Sequence, residues 1–394
     1  MERKGGLLNT NLDKRAMSRL GSNSPDLRLL VGGKQMNANR SRVYRLLGAP
    51  LLAAALCVAA SMPSFAAQGS YTQTNLVSDV PGLANALDPD LVNAWGLTRS
   101  ATSPWWVSNN GTDTSTLYNG SGLKLSLVVS IPPSGSAPTG AVFNGTSGFV
   151  VSKGAVSAPS RFIFATESGT IAGWSPTVDV TNAIVAFAST DGAAYKGLAI
   201  GTTAAGTFLY ATNFNTSTVD VFDSTFHQVT LDGNFSDPDI HAGFAPFGIA
   251  LLNGNLYVTY AKRGDNGDDV AGPANGYVDV FDTSGHLLRR AATRGRLNSP
   301  WGVAIAPSNF GPFSGDLLVG NFGDGRINAI DPATGEFLGQ LRNADNRPIT
   351  IDGLWAIAFG GGPGANSGPS NSLFFTAGPD EESHGLFGAL TSQT

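Results

Sequence analysis

One phrase returns six times along this chain of 394 residues, and its spacing limits the folds open to it. It reads NAWGLT (93–98), PTGAVF (138–143), YKGLAI (195–200), PFGIAL (246–251), PWGVAI (300–305) and LWAIAF (354–359). Its small residue falls at Gly96, Gly140, Gly197, Gly248, Gly302 and Ala356, in steps of 44, 57, 51, 54 and 54 residues. Such steps suit one four-stranded unit with its loops and exceed the periods of ankyrin or tetratricopeptide units. Each phrase is followed by a second apolar run such as GDLLVGNF (315–322) and a third such as RINAID (326–331), and five of the six by a fourth such as EFLGQLRN (336–343). Fifty glycines and 22 prolines supply turns between these runs, and no stretch after residue 66 keeps a helical period over ten residues. The pattern predicts an all-β fold, a six-bladed β-propeller of four-stranded antiparallel blades.

Only five fourth strands follow third strands, because the chain ends soon after Leu390. The missing strand is expected from YTQTNLVSD (71–79), paired beside 385–390 so that the ring closes and no edge is left open. Within the phrase, the small residue is expected to let neighbouring innermost backbones approach closely. Asp223, Asp282 and Asp331, after third strands, are expected to accept backbone N–H bonds in tight turns.

The N-terminus reads as a targeting segment. Asn39 to Arg45 is basic, Leu46 to Ala60 is apolar, and Ser64-Phe65-Ala66 has the small-x-small form of a cleavage site. The apolar run is shorter than the roughly 20 residues of a membrane span. Residues 1–66 are therefore expected to be an extension and a cleaved secretory signal, with Met36 as the translation start, and 67–394 a single propeller domain. Export to a periplasm or to the medium follows as an expectation.

Beyond residue 66 the chain holds 14 basic and 26 acidic residues, a net charge of −12. That balance argues against nucleic acid and anionic membrane surfaces as partners. The single cysteine, Cys57, lies in the signal, so the mature chain offers no disulfide, thiolate nucleophile or cysteine-ligated metal. With four histidines, His227, His241, His286 and His384, a multi-histidine metal centre is not expected. G-x-S-x-G, H-E-x-x-H and G-x-x-x-x-G-K-[ST] are all absent.

The segment LNSPWGVAIAPSNFGPFSGDLLVGNFGDGRINAID (297–331) resembles an NHL-type repeat in its P-x-G-V-A opening and its Arg326-Ile327 pair. From about 71 to 390, and most distinctively at DPDLVNAWGLTRSATSPWWVSNNGT (88–112), the chain resembles a family of uncharacterised secreted bacterial six-bladed propellers of TolB-like or SMP-30-like architecture. The resemblance implies the fold and brings no activity with it. Some members of that family end in a sorting tail, and the ending Leu390 to Thr394 points to a soluble product, expected to be a monomer.

Strand alternation puts the loops leading into first strands and the loops joining second to third strands on one face. Acidic and Asn residues gather there. Asn93, Asn109, Glu167, Asn213, His241, Asn298, Asn321 and Asp352 are the candidate ligand-binding residues, with Asn93 and Asp352 as the candidate metal pair. His241 is a candidate general base or metal ligand. Trp95, Trp301 and Trp355 recur at equivalent places and suit packing between blades better than a sugar-binding mouth. RGDNGDD (263–269) lacks EF-hand spacing, since Gly276 stands where the bidentate Glu belongs, and 263–276 reads as a long solvated loop.

Two functions remain open from the sequence. One is a non-enzymatic exported propeller that binds a protein, glycan, envelope component or small molecule through this loop face. The other is a calcium-dependent lactonase-like or esterase-like hydrolase with an axial metal, weakened because no Glu lies in a loop leading into a first strand.

Overall fold

The computed structural model describes residues 69–393; the signal segment and the proposed start at Met36 lie outside the described residues. Six antiparallel sheets follow one another as the six phrases do. Blade 1 holds Ala94–Thr98, Trp105–Asn109, Thr114–Tyr118 and Lys124–Ser130. Blade 2 holds Pro138–Phe143, Phe162–Thr166, Thr170–Trp174 and Ile184–Ala188. Blade 3 holds Tyr195–Thr203, Gly206–Asn213, Thr218–Phe222 and Gln228–Val229. Blade 4 holds Phe244–Leu252, Asn255–Lys262, Gly276–Phe281 and Leu287–Thr293. Blade 5 holds Pro300–Ile305, Leu317–Asn321, Ile327–Ile330 and Phe337–Gln340. Blade 6 holds Leu354–Phe359, Ser372–Ala377 and Leu386–Gln393.

The fourth strand of blade 6 comes from the N-terminal side, as the missing run required. Ser70–Ser78 pairs antiparallel with Leu386–Gln393, from Ser70 opposite Gln393 to Ser78 opposite Leu386. Side chains fasten this closure: the Tyr71 hydroxyl donates to the Phe310 carbonyl (3.1 Å), and Asp79 receives the Gly385 N–H (2.8 Å) and faces His384 Nδ1 (2.8 Å). Two elements were not foreseen, a two-residue strand Ala86–Leu87 parallel to the closing strand at Val77 and Ser78, and a hairpin. Val150–Lys153 and Val156–Pro159 form that hairpin, inserted between the first and second strands of blade 2, which accounts for the long 57-residue step.

Each pair of neighbouring blades buries an apolar cluster between its sheets, including blades 6 and 1 across the closure. A seventh cluster lies on the axis. The glycines of the phrase make this crowding possible: a Cβ on Gly96 would stand 2.1 Å from the Thr139 carbonyl, and one on Gly248 2.1 Å from that of Trp301. Pairing between first and second strands slips at the phrase in every blade, for example between Ala94 and Leu97 and between Pro300 and Val303. Such a slip re-aims a side chain out of the regular alternation. The turn aspartates do what the sequence suggests, each accepting backbone N–H bonds from the residues that follow. No helix among the described residues is long and apolar enough to cross a membrane.

Candidate functional site

The residue just before the small one is, blade by blade, Trp95, Thr139, Lys196, Phe247, Trp301 and Trp355. Four of these are aromatic and meet on the axis. Trp95 and Trp355 stack at 3.6 Å, Trp301 stands edge-on to both, and Phe247 and Phe322 close around Trp355. The rings fill the channel: the sequence expected these tryptophans to pack between blades, and they pack instead on one another at the axis. Thr139 spends its hydroxyl on the carbonyls of Tyr195 and Ala165. Lys196 is the exception, a buried ammonium in a ring of otherwise uncharged side chains.

Above the rings, on the loop face, polar groups converge on that ammonium. Lys196 Nζ donates to Glu167 Oε1, lies 3.9 Å from Asp268 Oδ1 and sits 5.2 Å over the Trp95 ring. Asn110 Nδ2 donates to the other oxygen of Glu167 (2.9 Å). Asn93 links this chain to blade 6, its Nδ2 donating to Asn110 Oδ1 (3.2 Å) and Glu382 Oε2 (2.7 Å) while its Oδ1 accepts the Trp355 indole N–H (2.9 Å). Burial raises the Glu382 carboxyl above its ordinary range, the Asn93 bond pulls it back and the negative charge of Glu167 adds to the rise. Burial likewise raises Asp269, against the pull of Lys196. Blades 1, 2, 3, 4 and 6 thus contribute to one hydrogen-bonded polar cluster above the rings.

Glu382 reaches the cluster through backbone strain. Asp380, Glu381 and Glu382 have φ of 56°, 54° and 66°, three consecutive side-chain-bearing residues in the left-handed region. That conformation costs about 1–2 kcal/mol per residue, so surrounding contacts must hold it. Asn93 is also left-handed, at φ 46°, but Ala137, Ser299 and Gly353 share that conformation three residues before their own small residues. At Asn93 it belongs to the repeat.

Of the sequence candidates, Asn93 and Glu167 therefore belong to the cluster and the others have local duties. Asn109, Asn213 and Asn321 end second strands: Asn109 donates to Thr114 and Thr116, Asn213 to Asp220, and Asn321 to the Arg296 carbonyl and Asp324. Asn298 Oδ1 accepts the Gly272 N–H (2.6 Å). His241 turns away from the axis, edge-on to Tyr277 of the third strand and 3.0 Å from the Arg294 guanidinium. Its loop packs against the outer strands of blade 4, which removes it from the axial chemistry. The 263–276 segment is not wholly solvated, because Asp269 turns inward and Arg263 is tied to the carbonyls of Phe214 and Asn215.

The donor set does not fit calcium. A calcium ion takes six to eight oxygens, and here an ammonium already sits on Glu167 while Asn93 gives its oxygen to an indole. Asp352 is exposed and accepts the Asp380 N–H (3.0 Å), so it forms no pair with Asn93. No group of three or more His, Cys, Asp or Glu is placed to hold a metal among the described residues.

Lys196, Asn110, Asp269 and Glu382 complete the cluster; the last three stand in second-to-third loops that the sequence assigns to this face, whereas Lys196 is not among its residues of interest. The signal for Lys196 was a lone charge in one column of the repeated phrase. The opposite mouth of the ring is an open funnel of about 550 Å³ lined by the inner strands of all six blades. Its guanidinium, on Arg99, is spent on the carbonyls of Phe359, Gly360 and Ser100.

Architecture and axis together define a six-bladed β-propeller with a tryptophan-filled axis and a polar cluster on one face. Comparison then places the chain more narrowly. It is 36% identical over 327 residues to an uncharacterized protein of Acanthamoeba polyphaga mimivirus, covering 80% of this chain and 78% of that protein. A second uncharacterized mimivirus protein is 34% identical over 327 residues, covering 80% of this chain and 84% of the relative. The chain belongs to the family of these proteins. Its relatives here are viral, whereas the sequence resemblance pointed to bacterial proteins. No family model matches it. Among solved structures it is similar to a protein of unknown function from Bacteroides thetaiotaomicron (TM-score 0.52, 10% identity, 83% of this chain and 77% of that one). It is also similar to a virginiamycin B lyase from Staphylococcus aureus with quinupristin (TM-score 0.49, 13% identity, 82% and 99%).

Proposed function

We propose that this protein is an exported, non-enzymatic binding propeller that takes a polyhydroxylated ligand, a glycan, onto the polar cluster on its loop face. The observation that carries the reading is the chain Glu382–Asn93–Asn110–Glu167–Lys196, five polar side chains from four blades above a floor of tryptophan. Sugar hydroxyls both donate and accept, and a cluster of amides, an ammonium and carboxylates offers both roles. The raised Glu382 and Asp269 carboxyls extend this, since each is an acceptor when ionised and a donor when protonated. The ammonium in the middle of the carboxylates favours binding over the calcium-dependent hydrolase.

A glycan array probed with the purified propeller, followed by calorimetry on the best oligosaccharide, tests this. Glu382→Ala is expected to weaken binding at least tenfold, the loss of a charge-assisted hydrogen bond. Melting in EDTA and in added calcium should coincide. A calcium-dependent rise in melting temperature, or turnover of lactones that disappears in Glu167→Gln, would overturn the reading.

A further inference from the structure

A second cleft lies away from the axis, between blades 4 and 5. It encloses about 350 Å³ and is lined by Arg296, Asn298, Asp324, Arg326 and Gln340 with Pro273 and Gly295. It adjoins a cavity of about 270 Å³ that shares Gly295 and Arg296 and runs on to Leu297, Ile330 and Phe337.

The charges in this cleft are unbalanced in an unusual direction for so acidic a chain. Arg290, close by in sequence, is paired with Asp237 and Asp279. Neither Arg296 nor Arg326 has an ion-pair partner among the described residues, and Arg326 Nε is buried with no hydrogen-bond partner. The neighbouring amides are partly committed: Asn298 Oδ1 accepts the Gly272 N–H, and Gln340 Nε2 donates to Asn328 Oδ1 (3.0 Å). What remains of Asn298 is its Nδ2 donor. The one carboxylate on the wall, Asp324, gives Oδ1 to Asn321 Nδ2 and to the Arg326 backbone N–H. Two guanidiniums and an amide donor therefore face one small volume against a single carboxylate, a net positive lining that suits planar or tetrahedral oxyanions. The adjoining apolar end matters too. The Arg296 guanidinium lies 5.6 Å over the Phe337 ring, and Phe337 is 41% exposed.

We propose that this cleft binds a small organic oxyanion, a carboxylate or a phosphate or sulfate ester, with its charged group against Arg296 and Arg326 and its apolar body over Phe337. The site is independent of the axial cluster and shares no residue with it. Binding is electrostatic at one end and apolar at the other, so salt weakens it while the apolar body strengthens it.

Inorganic phosphate, inorganic sulfate, phenyl phosphate and benzoate, each titrated by calorimetry into the purified propeller at low salt, test the proposal. Phenyl phosphate should bind several-fold more tightly than inorganic phosphate, and Phe337→Ala should remove that advantage while leaving phosphate binding in place. Arg296→Gln and Arg326→Gln should each weaken phenyl phosphate at least tenfold. Arg296 is exposed, so its variant carries the test if Arg326→Gln fails to fold. Comparing the phosphate and benzoate arms tells which oxyanion the cleft prefers. Failure of all four probes to bind below about 10 mM, or binding that both arginine variants leave unchanged, would overturn the proposal.

Discussion

Lys196 shows how much one residue can decide. In its column of the repeat the other blades place Trp95, Thr139, Phe247, Trp301 and Trp355, and the slip in strand pairing turns whatever stands there toward the axis. An ammonium buried in this way is held by Glu167 and moderates Glu382 and Asp269. Those two carboxyls have folded pKa values above their unfolded ones, so the folded state keeps their protons longer. Their contribution to stability is full below about pH 4 and declines as pH rises through the raised values. Lys196→Met should steepen that decline, costing about 2 kcal/mol at pH 7, less than a fully buried broken pair because Glu167 is partly open to water. Urea unfolding at pH 5 and pH 7 checks it, and an equal loss at both would contradict the charge argument. Glu381 makes a separate case. It is exposed and left-handed at φ 54°, so Glu381→Gly should stabilise by up to about 1 kcal/mol in thermal melting. The lone charge stands in plain view in its column of the repeat, a signal that the sequence candidates passed over. The inward turn of Asp269 and Glu382 was not legible there, because loop backbone conformation decides it and no periodic pattern encodes it.

Among the elements, the closing strand bears the most. Strands of the blades were legible because six copies of one phrase set their order, and the unpaired run at 71–79 had one place to go. The hairpin at 150–159 was not, since its residues are mostly exposed and carry no apolar stripe to bury. In the closing strand Tyr71 packs against Phe310 at 4.8 Å and bonds its carbonyl. Tyr71→Phe should cost about 1 kcal/mol for the lost bond, and Tyr71→Ala about 3 kcal/mol or more for the lost ring. Denaturant midpoints distinguish the two, and equal losses would show that the ring contributes nothing. At the other end of the strand, the Asp79 bond raises the His384 pKa. A histidine raised by a partner stabilises below its unfolded value of about 6.5 and loses that contribution as pH rises through the folded one. Asp79→Asn keeps an oxygen for the Gly385 N–H and removes the charge, so it should flatten the melting temperature between pH 6 and pH 8.

At the scale of the whole molecule, the tryptophan floor separates a polar cluster on the loop face from an open funnel opposite. A ring of six blades leaves an axial opening by geometry, and this chain fills it with side chains from its own innermost strands. Trp355 is central: it stacks on Trp95 and Phe322 and donates to Asn93, the residue that holds Glu382. Trp355→Ala should therefore cost about 3–5 kcal/mol through the cavity left behind and also loosen the cluster above it. Acrylamide quenching reads the second effect. Trp95 is 1% exposed and should resist quenching in the native protein, then become accessible once Trp355 is removed. Trp106, buried between blades 1 and 2, should stay protected in both. If Trp355→Ala keeps native stability and native quenching, the cluster and the funnel are separated by something other than these rings, and the cluster has no floor of its own.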